Sequence, residues 1–69
     1  MPVYLANRFE DLTILRITGN DKVRAHLEHL GFIVGEKIMV VNMIDDDVIV
    51  KVKGVSLAIS KELAKRILV

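Results

Sequence analysis

The stretch Asn20 to Val41, NDKVRAHLEHLGFIVGEKIMVV, sets the tightest limits on what this chain can fold into. Asn20-Asp21 supplies a helix N-cap and a first-turn carboxylate. Val23, Leu27 and Leu30 recur at helical spacing and form one apolar stripe, with Arg24, Ala25 and Glu28 on the opposite side. The helix they predict has about ten residues, marginal in water by itself, so tertiary packing must hold it. Gly31 suits the C′ position, where a left-handed backbone ends a helix without a steric penalty. With Leu30 as C-cap, Leu27 becomes C3 and Phe32 becomes C″, the pair whose apolar contact accompanies a Schellman ending. Gly35 then supports a tight turn into an apolar run, Ile38-Met39-Val40-Val41, that predicts a strand over Lys37 to Met43. The run is apolar on both faces, which implies a well-covered central strand; by pattern alone a buried helix fits equally.

Around this segment the chain reads as short strands. Val3-Tyr4-Leu5 is expected to be extended, with Phe9 and Leu12 capping one end of a core. Thr13 to Thr18 is rich in β-branched residues and stops at Gly19-Asn20, which predicts one strand with Leu15 and Ile17 inward and Ile14 on the polar face. Ile44-Asp45-Asp46-Asp47 reads as a hairpin loop. Val48, Val50 and Val52 then alternate inward against Ile49, Lys51 and Lys53 outward, and Gly54 marks the next turn. Val55 to Ile59 is a short strand with Leu57 and Ile59 inward. Ser60 caps a helical turn over Lys61 to Lys65, and Ile67-Leu68-Val69 closes the chain. A small curved antiparallel sheet removes its open edges by closing on itself. The expected fold is therefore mainly β: a small SH3-like barrel over residues 1–69, with one short helix inserted near the N-terminal third and a C-terminal helical turn.

Composition narrows the function classes. The 69 residues suffice for one domain, and no cysteine is present to staple it or to hold a metal as thiolate. A chain of this length buries only about 60% of its unfolded surface. A hydrophobic fraction of 52% then leaves apolar groups outside, which points to a partner or to self-association. The net charge of +1 lacks the positive field of a nucleic-acid binder. No apolar run approaches the ~20 residues that span a bilayer. The start MPVYLANRFE lacks the basic and apolar regions of a secretory signal. These features predict a cytoplasmic protein without direct membrane insertion and without nucleic acid as partner.

Groups that carry chemistry are few. His26 and His29 are three residues apart on the helix, close enough to share a metal, but no third ligand is fixed beside them. Asp45, Asp46 and Asp47 lack the spaced oxygens, glycine and terminal glutamate of an EF-hand, and read as a solvated turn. Lys51 and Lys53 stand on one strand face without the stacking aromatics of a nucleic-acid surface. Ser56 and Ser60 have no nucleophile-elbow context, and Gly31 and Gly35 are not followed by P-loop lysine and hydroxyl groups. Neither an enzyme nor a cofactor is expected.

The pattern Arg24-x-x-Leu27-x-x-Leu30-Gly31-Phe32-x-x-Gly35-x-x-Ile38-x-Val40 resembles the FeoA family of small cytosolic proteins and domains. Downstream, Val48-Ile49-Val50 before Gly54, then Ser56 to Ile59, Ala64, Ile67 and Val69 are similar to it as well. Val34 departs from the family's common proline, Ser60 stands where a basic residue often follows, and Thr18-Gly19 replaces a clearer early glycine turn. The resemblance implies an SH3-like barrel that assists ferrous iron uptake by acting on a FeoB-like membrane transporter. It also implies kinship with the C-terminal domains of iron- or manganese-dependent regulators. The alternative is a generic interaction module or homo-oligomer. No motif marks the partner surface. The expected contact is the tip formed by Phe32, Ile33 and Val34, together with Ile49 on the outward strand face; if Phe32 is wholly core, Ile33 is what the tip offers.

Overall fold

A computed structural model describes all residues, 1–69. A 3-10 turn at Val3–Leu5 opens the chain. It is followed by β1 (Leu12–Thr13), β2 (Arg16–Ile17), α1 (Asp21–His29), β3 (Lys37–Ile44), β4 (Asp47–Val52), β5 (Val55–Ser60), α2 (Lys61–Ala64) and β6 (Ile67–Leu68). The strands form two antiparallel sheets, one of four strands in the order β1-β3-β4-β5 and one pairing β2 with β6. The strand-rich architecture with one inserted helix and a C-terminal helical turn is as the sequence predicts. The hydrogen-bond ladder does not close into a continuous barrel, however. The two sheets instead wrap one core of 13 buried side chains, all apolar.

The hairpins follow from local chemistry. Val48, Val50 and Val52 of β4 face the core, as their alternation requires. β4 and β5 are joined by a two-residue turn, with both Lys53 (φ 52°) and Gly54 (φ 77°) in the left-handed region. That is the type I′ signature, whose twist matches the flanking strands. β3 and β4 meet through Asp45-Asp46, and the register shifts between Val40 and Asn42, a bulge that bends β3.

Helix α1 begins and ends as its residues dictate. The Asn20 side chain accepts the Val23 N–H at 2.9 Å. At the other end the Phe32 N–H donates to Leu27 O (3.0 Å) and the Gly31 N–H to Glu28 O (2.9 Å). These are the two bonds of a Schellman ending, with Gly31 at φ 105°. Leu27 and Phe32 are both fully buried. Val23 is half-buried and Leu30 is exposed, so the stripe is shorter than its spacing suggests.

The N-terminal third departs most from the sequence expectation. Val3–Leu5 is a 3-10 turn rather than an extended piece. Phe9 does not cap the core: it is 65% exposed, at φ 65°, while its N–H donates to Val40 O. The single strand over Thr13 to Thr18 is instead two short strands in different sheets. Thr13 pairs with Lys37 of β3, whereas Arg16 and Ile17 pair with Leu68 and Ile67 of β6. The change of sheet turns the chain at Ile14-Leu15 and inverts the side chains there. Ile14 is fully buried and Leu15 is 65% exposed, the reverse of simple alternation.

Two stability measurements test this account. Ile14→Ala is expected to cost about 2–5 kcal/mol in urea unfolding, against less than about 0.5 kcal/mol for Leu15→Ala. Gly31→Ala is expected to cost about 1–2 kcal/mol through backbone conformation alone, since an added Cβ would meet only Val52 Cγ1, at 3.9 Å.

Candidate partner-docking surface

The Schellman ending fixes which way the next residues point. With Phe32 turned inward as the C″ residue, Ile33 (42% exposed) and Val34 (58% exposed) face solvent. The Glu36 N–H then donates to Ile33 O at 3.0 Å, and Gly35 turns the chain at φ 95°. The Gly35 N–H donates to Ile14 O (2.8 Å), while Glu36 O accepts the Ile14 N–H (2.9 Å). The tip is thus held by backbone bonds on both flanks. Leu30 is exposed just ahead of it. Ile33 also borders an open hollow of about 320 Å³ lined by Ala25, Glu28 and His29, which links the tip to the solvent side of α1.

Of the four residues expected at the contact, Phe32 is not exposed at the tip, and Ile49 lies on the outward strand face but away from the tip. Phe32 is entirely buried, because the same bonds that end α1 drive its ring onto the core. Ile49 is half-buried on the outward face of β4. Val52, whose side chain lies near Gly31, is three residues farther along β4, roughly 10 Å, and faces the opposite side of the sheet. At the tip itself the exposed apolar residues are therefore Ile33, Val34 and Leu30. Leu30 escaped the sequence reading because its spacing placed it on the buried stripe.

His26 and His29 are both exposed in the last turn of α1, and His29 lines the hollow beside Ile33. No group of three His, Cys, Asp or Glu side chains converges anywhere in the chain. Lys51 and Lys53 join Lys37 and Asp11 around a second hollow of about 240 Å³. Their charge is offset there by Asp11 and by Glu36, 3.9 Å from Lys53 Nζ. Lys37 and Asp11 enter that group only through strand pairing, which the sequence did not reveal. No helix is long and apolar enough to cross a membrane.

Comparison with known proteins gives a consistent picture. The profile of the FeoA domain matches residues 1–69. No curated protein matches the chain in sequence. Among solved structures, the chain is similar to an iron uptake regulatory protein, FeoA, at 28% identity and a TM-score of 0.88, covering 97% of this chain and 91% of that one. FeoA from Stenotrophomonas maltophilia, a prokaryotic SH3 domain protein complexed with zinc, superposes with a TM-score of 0.84 at 22% identity, over 99% of this chain and 87% of that one. A manganese-dependent transcriptional repressor has a TM-score of 0.87 at 11% identity, over 97% of this chain and 39% of that one. The fold is thus SH3-like. Because His26 and His29 have no third ligand beside them, the double variant His26→Ala/His29→Ala is expected to titrate with Fe(II) or Mn(II) as the unmodified chain does. A loss of binding in the variant would assign the metal to these two side chains.

Proposed function

The chain belongs to the FeoA family, and from that premise we propose that it is a non-enzymatic accessory domain of ferrous iron transport, docking on a FeoB-type membrane GTPase transporter and modulating it. The observation that carries this reading is the tip at Ile33 and Val34, two large apolar side chains exposed side by side on a turn whose backbone is fixed at both ends. A contiguous exposed apolar patch, unlike single scattered side chains, favours a contact surface. A contact that is already ordered loses little conformational entropy on binding. Leu30 widens the patch, and Glu28 and His29 supply a polar rim at its helix side. The proposed contact is with the cytosolic part of the transporter, which assigns the chain to the cytoplasm.

A second reading has its own support. The likeness to a manganese-dependent repressor, over 39% of that chain, favours an interaction module of the kind carried by metal-dependent regulators. The tip would serve there as a contact between domains.

Ile33→Asp places a charge on the patch at an exposed site, and is expected to change stability by less than about 0.5 kcal/mol. In a pull-down with the cytosolic part of a FeoB-like transporter, capture is expected to fall by about tenfold or more, the equivalent of roughly 1.4 kcal/mol. Unchanged capture would remove this tip from the interface.

A further inference from the structure

The second hollow, of about 240 Å³, is bordered by Lys37, Lys51 and Lys53 together with Asp11, Met39 and Gly54. Strand pairing gathers these lysines from distant parts of the chain. Ile38 pairs with Val52 and Met39 with Lys51, so Lys37, just before Ile38, is set across from Lys53, just after Val52. Ile38, Val50 and Val52 are buried, and Lys37, Met39 and Lys51, which alternate with them, take the outer face. Like charges set opposite each other work against a sheet. Packing alone gives no reason to collect three of them here.

Lys53 also stands where its backbone suits it least. It is the first of two turn residues, at φ 52°, with Gly54 following at φ 77°. A type I′ turn favours asparagine or aspartate at that first position, since their short side chains enter the left-handed region several-fold more often. Strain of this kind persists where something else requires the residue, and it clusters at binding sites. Carboxylates do not account for the lysines. Glu36 reaches only Lys53, at 3.9 Å, in a pair of partly exposed side chains that contributes little. Asp11 shares the hollow without an ion pair, and Lys37 and Lys51 have none either. Three ammonium groups against two carboxylates leave the hollow positive. The backbone N–H groups of Lys53 and Gly54 donate to no other group of the chain. Gly54 also keeps its wall open, since even a Cβ there would meet nothing within 4 Å.

We propose that this hollow binds a phosphate group in its doubly charged form, held by the ammonium groups of Lys37, Lys51 and Lys53. At neutral pH a phosphomonoester carries about −1.5 to −2 charges and three strong acceptor oxygens. That matches two ammonium groups without ion pairs and a third whose pair is weak. A single carboxylate brings half the charge and one oxygen fewer. Lysine is a compact charge with three donors on a flexible stem, suited to phosphate as a point charge. No aromatic side chain borders the hollow, so nothing there stacks on a base, and the phosphate itself is what the site recognises. Inorganic phosphate, a soluble phosphomonoester and a lipid phosphomonoester headgroup share this chemistry.

Titrating the full chain with sodium phosphate, against sodium chloride at equal ionic strength, and following amide and lysine NMR signals tests the site. Saturable shifts centred on Lys37, Met39, Lys51, Lys53 and Gly54 are expected with phosphate and not with chloride. Lys37→Gln and Lys51→Gln are each expected to weaken binding at least about fivefold, roughly 1 kcal/mol. Lys53→Asn separates binding from folding. It suits the turn better, so it is expected to melt no lower than the unmodified chain, yet to bind phosphate at least about fivefold more weakly. Two further arms identify the source. Binding of glycerol phosphate as tightly as inorganic phosphate assigns a soluble phosphomonoester, and preferential sedimentation with phosphatidylcholine vesicles containing phosphatidic acid assigns a lipid headgroup; either supports the site. Shifts that do not saturate, or that appear equally at Lys22, Lys61 and Lys65, overturn the proposal. So does a folded Lys51→Gln or Lys53→Asn variant that binds phosphate as the unmodified chain does.

Discussion

Ile14 is the point on which the architecture depends. Its side chain fills the core, while its N–H and C=O bond to Glu36 and Gly35 of the loop that follows α1. One residue thereby joins the corner between the two sheets to the turn that aims the apolar tip. Both links are backbone bonds within a small structure, and each needs the other. The corner can turn only because Glu36 and Gly35 accept and donate there, and the loop is fixed only because the corner is buried.

The terms that favour this fold are apolar burial and backbone geometry, not charge. All 13 buried side chains are apolar, and no buried polar side-chain atom lacks a partner. The ion pairs Asp21–Arg24, Glu36–Lys53 and Glu62–Lys65 join partly or largely exposed groups; such pairs contribute about 0–1 kcal/mol each. Capping contributes about 1 kcal/mol at a helix start, and a nine-residue α1 cannot persist without its Leu27–Phe32 anchor. The same anchor that stabilises α1 also decides which residues are left for recognition.

A domain this small cannot hide all the apolar groups it carries. Where it leaves them therefore has functional weight. The tip offers side chains as the proposed means of recognition. Such patches select by shape and by the desolvation of apolar area.

Much of this protein was determined by its sequence. The cap at Asn20, the Schellman ending at Gly31, the inward valines of β4 and the Ser60 cap of α2 all rest on interactions within a few residues, so local spacing suffices to read them. The family was legible for the same reason: its pattern is the order of those local devices. The SH3-like outline followed from counting short strands. What only the tertiary structure decided lies where a residue answers to a distant partner. Ile14 is buried and Leu15 exposed because the chain changes sheets between them, and no alternation rule registers that. Phe9 is outside because its backbone bonds to Val40. Leu30 falls outside because the helix rests on the core through Val23 and Leu27, and Ile49 because β4 turns it to the outer face of the sheet. Of the candidate site, the exposure of Ile33 and Val34 and the inward turn of Phe32 follow from the turn chemistry beside them, whereas the exposure of Leu30 depends on where the helix leaves the core.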